Sequence, residues 1–155
     1  MSKFHYLLRV RYSECDGQSV VFNARYGDYV DLAGTEFIRA VYGGYEKLLE
    51  RRLETQVVSL STNWKASARY DDVLNITVET RRVGNTSFTL LIEFQNLETS
   101  QFLASSEITH VMLNADDFTT CPVPDDIREK LLSGAPGVVV NHAGVPIETV
   151  TEKIS

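Results

Sequence analysis

One carboxylate, Asp16, sits in the run Tyr12-Ser-Glu-Cys-Asp-Gly-Gln-Ser-Val-Val-Phe-Asn-Ala-Arg-Tyr26. Polar residues and Gly17 flank it, so this part of the run reads as a turn. A short apolar segment, Val20 to Phe22, then leads to a long helical pattern that begins near Asn23 and Ala24. The first N–H groups of a helix have no intrahelical acceptor and lie at the positive end of its dipole. A carboxylate facing them is equipped to attack a carbonyl while the N–H groups hold the oxyanion. Asp16 therefore has two readings, a turn-capping residue and a nucleophile or general base. Asn23 can cap the helix with its side chain while it and Ala24 donate through the backbone.

The other reactive side chains form weaker patterns. Cys15 lies beside Asp16, but His5, His110 and His142 have no recognisable spacing to it as nucleophile and base. Cys15 and Cys121 make neither a disulfide framework nor a metal spacing, so no metal site is expected. Lys65, Arg69, Arg81 and Arg82 fall near strand ends. They serve either as salt-bridge partners of Glu79, Asp71 or Asp72, or as a basic rim for an anionic ligand. Asn85, Thr86 and Ser87 offer further donors beside Arg82. Val20, Phe22, Tyr29 and Trp64 read equally as pocket lining or as core.

These residues need a scaffold. Residues 4–12 alternate, with Leu8, Val10 and Tyr12 on one face and Arg9 and Arg11 on the other, as in a half-buried strand. Tyr26, Tyr29, Val30, Ala33, Phe37, Ala40 and Val41 recur at helical spacing, widened by Leu32 and Ile38. So apolar a helix should be buried on most sides, and it stops at Gly43-Gly44. Glu46 to Arg52 reads as a second, short helix. Four alternating runs follow: Val58 to Trp64, Leu74 to Val78, Phe88 to Phe94, and Phe102 to about Leu113. Their short connections imply an antiparallel meander. Pro122 to Asp126 introduces a last short helix, Ile127 to Leu132. The chain divides into a domain over 1–133 and a tail over 134–155, which has no clear period and is expected to be mobile or docked on a neighbour.

The bulk numbers fit one globular domain of 155 residues, with 43% hydrophobic and 23% charged residues. A net charge of −6 argues against nucleic acid as the main partner but leaves room for one anionic ligand. No apolar run is long enough to span a bilayer and the N-terminus lacks a secretory pattern, so the cytoplasm is the expected location. The sequons at Asn75 and Asn85 carry little meaning in that setting.

Three segments, over about Tyr6 to Leu132, resemble the hotdog-fold acyl-CoA thioesterases of the 4-hydroxybenzoyl-CoA thioesterase type, including relatives associated with the Tol-Pal cell-envelope system. They are Tyr12 to Tyr26, the stretch Ala66-Ser-Ala-Arg-Tyr-Asp-Asp-Val-Leu74, and the hairpin Arg82-Val-Gly-Asn-Thr-Ser-Phe88. The sequence departs from that family at Ser19, where many relatives have glycine, at Asn23, where many have His or Tyr, and at Gly84-Asn85, where some place arginines.

The resemblance implies an α+β hotdog fold, an antiparallel sheet wrapped around one long central helix. It implies hydrolysis of an acyl- or aroyl-CoA thioester, or of an acyl carrier protein thioester, with no separate cofactor. Asp16 would be the catalytic carboxylate, and the Asn23 and Ala24 N–H groups the oxyanion holder. Ser67 would face Asp16; Val20 and Phe22, if pocket lining and not core, would then lie at the acyl group. Arg69, Arg82, Asn85, Thr86 and Ser87 would lie at the coenzyme A phosphates. The open sheet implies a homo-oligomer, a dimer at least and a homotetramer on the family pattern, with Asp16 of one chain near Ser67 or the Asn85 hairpin of another. Two other functions fit the same fold: a hydratase or dehydratase, which needs a positioned histidine and acid, and a non-catalytic acyl-thioester-binding protein.

Overall fold

The computed structural model describes residues 3–154. Six strands form one sheet: β1 (Phe4–Arg9), β2 (Leu53–Trp64), β3 (Val73–Val83), β4 (Ser87–Asn96), β5 (Phe102–Asn114) and β6 (Val139–Asn141), in the spatial order β2-β5-β4-β3-β1-β6. Four helices accompany it: α1 (Arg25–Tyr42), α2 (Tyr45–Glu50), α3 (Asp125–Ser133) and α4 (Ile147–Lys153). The meander β3-β4-β5 is antiparallel, as the short connections require, and β2 and β1 flank it in the same sense. The sheet is nevertheless mixed, because β6 joins β1 in parallel.

The core lies between the sheet and α1. Tyr26, Tyr29, Val30, Ala33, Phe37, Ile38 and Val41 turn one stripe of the 18-residue helix onto Phe4, Tyr6, Ile76, Leu90 and Phe94. Leu32 and Ala40 look outward, so the burial is one-sided and not on most sides. Gly43, at φ 96°, takes the left-handed conformation that ends α1 and donates its N–H to the Arg39 carbonyl.

Several boundaries differ from the sequence pattern. β1 stops at Arg9, and Tyr12 lies in a single 3-10 turn, Tyr12–Glu14, with its ring exposed against Tyr70. The alternation there continued past the last residue that pairs with β3. β2 starts at Leu53, earlier than the apolar alternation, because its first residues pair with the end of β5. A register shift between Val57 and Ser59 interrupts it.

Residues 134–154 carry more order than their composition suggests. Val139–Asn141 pairs with His5 to Leu7, and α4 folds back so that Ala143, Val145 and Ile154 cover Leu7 and Leu97 in a second, smaller apolar cluster. Leu7 is fully buried although it faces away from α1. One edge of the sheet is thus closed by a three-residue strand, while the other, β2, is open along twelve residues. Val57, Val58, Leu60 and Trp64 are each about half exposed on it.

His110 gives the fold a pH dependence. It lies on β5, stacked on Phe88, buried, with its Nδ1 lacking a partner among the described residues. Burial pushes its pKa down to about 4. The unfolded chain then takes up this proton at higher pH than the folded one, so stability present above pH ~6.5 is lost as pH falls toward 4. At about 1.4 kcal/mol per unit the loss is on the order of 3 kcal/mol. Burial also depresses the His5 pKa, which adds in the same direction. Urea unfolding of wild type and His110→Gln across pH 7.5 to 4 checks this: the wild-type curve should fall more steeply, and parallel curves would discount His110.

Candidate active site

The turn that carries Asp16 is a small hairpin. The Asp16 N–H donates to the Val20 carbonyl (2.9 Å) and the Ser19 N–H donates to the Asp16 carbonyl (3.0 Å). The Phe22 N–H closes its base by donating to the Glu14 carbonyl (2.9 Å). Ser19 adopts φ 63°, a left-handed conformation that a non-glycine residue takes up only at some cost. The Asp16 Oδ1 accepts the Gln18 N–H at 2.8 Å, which is the turn-capping role. Oδ2 has no hydrogen-bond partner among the described residues, so capping leaves half of the carboxylate free for chemistry.

The same hairpin delivers the chain to α1. The Arg25 N–H donates to the Phe22 carbonyl (2.8 Å) and the Tyr26 N–H to the Asn23 carbonyl (3.3 Å), which winds the first turn tightly. Ala24 occupies the N-cap position and no side chain caps the helix, so Asn23 is not the cap. The N–H groups of Asn23 and Ala24 have no acceptor among the described residues. Two exposed residues thus present unpaired N–H groups at the positive end of an 18-residue helix, where negative charge is favoured.

Asp16 and Asn23 share an open groove of about 350 Å³ with Val20, Tyr26, Trp64 and Ser67. The β-bridge between Val20 and Arg69 brings the 66–69 segment alongside the hairpin, and the Val21 N–H donates to the Ala68 carbonyl (2.9 Å). Ser67 and Asp16 therefore line one groove of a single chain. Trp64, half exposed, sets its indole edge-on to Tyr26 at 5.8 Å. The Tyr26 ring is buried, and burial pushes its phenol pKa up while the nearby Ala68 backbone opposes the shift. Its hydroxyl makes no well-formed hydrogen bond among the described residues. Lys65 also lines the groove, and among the described residues neither it nor Arg69 is ion-paired. Of the acids first considered as partners, Asp71 pairs with Arg9 and Glu79 with Lys3, while Asp72 accepts the Arg69 backbone N–H (2.9 Å) and leaves its guanidinium unpaired.

Other expected site residues lie elsewhere. Phe22 is half exposed and outside the groove lining, and Tyr29 is core. Arg82, Asn85, Thr86 and Ser87 gather at the far end of β3, where the Arg128 guanidinium donates to the Val83 and Gly84 carbonyls. At ~3.3 Å per residue, the length of β3 separates that hairpin from Asp16 by roughly 30 Å in one chain.

Two residues near the centre had no role in the sequence pattern. Tyr26 read only as one residue of the helical stripe, and Glu14 as one polar residue of the turn. Glu14 is buried and accepts bonds from Tyr29 Oη (2.8 Å) and from the Arg11 backbone (2.8 Å) and guanidinium (2.7 Å). Burial alone would raise its carboxyl pKa, but these donors outweigh it and hold the pKa below the ordinary value. The available signal was a tyrosine on a buried stripe, whose hydroxyl needs a partner.

Among the described residues, no cluster of three or more His, Cys, Asp or Glu is placed to hold a metal ion, and no helix is long and apolar enough to cross a membrane.

The profile of the family described as the thioesterase-like superfamily matches residues 10–131. The acyl-CoA thioesterase YbgC of Haemophilus influenzae is 25% identical over 126 residues, which covers 81% of this chain and 91% of that protein. The acyl-CoA thioester hydrolase YbgC of Escherichia coli O6:H1 is 30% identical over 95 residues, 61% of this chain and 71% of that one. Among solved structures, a thioesterase superfamily protein from Jannaschia sp. CCS1 superposes with a TM-score of 0.80 at 22% identity, covering 88% of this chain and 95% of that one, a likeness of fold alone.

Proposed function

Since the chain belongs to the thioesterase-like superfamily, we propose that it is an acyl-CoA thioesterase that cleaves an acyl- or aroyl-CoA thioester to the free acid and coenzyme A. The observation that carries this reading is the groove that holds a half-free Asp16 carboxylate together with Asn23, whose N–H, like that of the adjoining Ala24, is unpaired among the described residues. The thioester carbonyl oxygen points at those N–H groups, and Asp16 approaches the carbonyl carbon. Asp16 either attacks directly, giving a mixed anhydride that water then hydrolyses, or removes a proton from the attacking water. In both routes the negative charge that develops on oxygen is stabilised by the N–H groups and the helix dipole. The thiolate leaves without a strong acid, because its conjugate thiol has a pKa of about 8.5.

The sheet packs on α1 and leaves β2 as its open edge. The active assembly is a homodimer in which β2 pairs antiparallel with β2 of a second copy. Val57, Val58 and Leu60 are then covered. In each chain the Trp64 end of β2 lies at the Asp16 groove, while its Leu53 end lies near the Asn85 hairpin through the Thr55–Met112 and Met112–Thr86 contacts. A two-fold axis across β2 brings the partner's hairpin end toward this chain's Asp16. Arg82, Asn85, Thr86 and Ser87 of one chain then join Arg69 of the other around the coenzyme A phosphates. Further pairing to a tetramer is compatible with this dimer.

Arg69→Ala and Arg82→Ala are each expected to raise KM for the CoA ester several-fold and to leave kcat and the KM of a truncated pantetheine ester nearly unchanged. Equal effects on both esters would remove these arginines from the phosphate site.

A panel of aroyl-, short-chain and long-chain acyl-CoA esters, followed by released thiol, tests the function itself. The hydratase reading finds no support in the groove, since among the described residues no histidine lines it. Tight binding of an ester without turnover would favour the non-catalytic reading.

A further inference from the structure

Glu14 is a carboxylate that the chemistry above does not use, and it is only 3% exposed. Removing such a charge from water costs several kcal/mol unless donors replace the water, and an apolar side chain would fill the space at less cost. Here the replacement is complete. Oε1 accepts the Arg11 N–H and the Tyr29 hydroxyl, both at 2.8 Å, and Oε2 accepts the Arg11 Nε (3.1 Å) and Nη2 (2.7 Å). The backbone carbonyl of the same residue accepts the Phe22 N–H (2.9 Å). Glu14 therefore touches the chain before the Asp16 hairpin, the chain after it and the second turn of α1.

These three attachments flank the two parts of the site. Asp16 is two residues past Glu14, and Asn23 is the residue after Phe22. Tyr29 is fully buried with its ring edge-on to Tyr26, so the hydroxyl that holds Glu14 is fixed to the body of the helix.

We propose that Glu14 is a positioning residue, which through Tyr29 and Arg11 sets the Asp16 carboxylate relative to the Asn23 and Ala24 N–H groups. The inference rests on the thioesterase reading for its kinetic consequence and on the hairpin geometry alone for its structural one. A displacement of about 1 Å between an attacking group and an oxyanion holder reduces rate by up to a hundredfold while leaving the remote binding contacts in place.

Tyr29→Phe removes one hydroxyl without altering the shape of the core, and Glu14→Gln keeps the shape but removes the charge. Both are compared with wild type by steady-state kinetics, at a temperature where circular dichroism shows all three folded, and by the 15N–1H shifts of residues 14–24 in the free protein. The expected result is a kcat lowered about tenfold by Tyr29→Phe and more by Glu14→Gln, with KM within about twofold, and displaced amide signals for Asn23 and Ala24. Glu14→Asp, too short to reach Tyr29 and Arg11 together, should not rescue. Unchanged kcat in folded Tyr29→Phe and Glu14→Gln would reduce Glu14 to a stability role and overturn the proposal. If wild type hydrolyses no ester in the panel, the thioesterase reading fails by itself. The amide shifts then decide: displaced Asn23 and Ala24 signals uphold positioning, and unmoved ones overturn it.

Discussion

Asp16→Asn is expected to fold and assemble like wild type and to hydrolyse thioesters with a kcat lower by roughly a hundredfold or more. The asymmetry follows from what each carboxylate oxygen does. Oδ1 accepts one N–H, from Gln18, and an asparagine carbonyl oxygen can keep that bond, so the hairpin retains its shape. The free Oδ2 becomes an amide nitrogen, which neither attacks a carbonyl nor takes a proton from water near neutral pH. Asp16→Ala loses the turn bond as well and should be slightly less stable, by about 1 kcal/mol or below, with the same loss of activity. The measurement is thiol release from a benzoyl ester and a short-chain acyl ester, with thermal unfolding of each variant alongside. A folded Asp16→Asn with near-wild-type kcat would exclude both the nucleophile and the general-base role.

Lysines at positions 58 and 60 should separate the assembly and the activity together. Val58 and Leu60 are 61% and 45% exposed in the single chain, so their replacement removes little from its core. In a β2–β2 pair the same positions approach their own copies across the two-fold axis, where like charges oppose one another, and edge lysines are a common natural block to strand pairing. Val58→Lys combined with Leu60→Lys is expected to give a folded monomer at micromolar concentration by light scattering. Its kcat/KM should fall by at least about tenfold, because the hairpin at Asn85 no longer reaches the groove of a second chain. A variant that remains dimeric would place the interface elsewhere. A fully active monomer would mean that each groove is complete without its partner.

The periodicities carried most of the fold. Tyr26 to Val41 at helical spacing and the alternations through β3, β4 and β5 mark elements whose burial is one-sided, and one-sided burial leaves a period in the sequence. The pattern fails where that condition fails. Leu7 and Val73 are covered on the face away from α1 by the 143–154 segment, and nothing local in Gly134 to Val138 announces it. Val139 to Asn141 pair with residues at the other end of the chain, and three residues are too few to show alternation. In the site, Asp16 and the helix start were legible because a turn and a helix start are local features. That Ser67 lines the same groove as Asp16 depends on the Val20–Arg69 bridge, and the separation of Arg82 from both depends on the length of β3. Glu14 passed as a turn residue because its burial arises from Tyr29, fifteen positions away.

The strand that closes the β1 edge has a kinetic consequence. β1 is the first strand of the sheet in sequence and β6 the last, so their pairing closes a loop that holds the other four strands. The β3-β4-β5 meander, by contrast, forms between neighbours in sequence. During synthesis, β1 therefore waits with an unpaired backbone edge and a bare Leu7 until residue 141 and the segment beyond have emerged. In the finished protein that closure rests on three ladder positions and the small Leu7–Leu97 cluster, which makes it the weakest cooperative unit of the sheet. Amide hydrogens of Val139 to Asn141 should exchange well before those of β4, and each opening re-creates for a moment the exposed edge of the nascent chain.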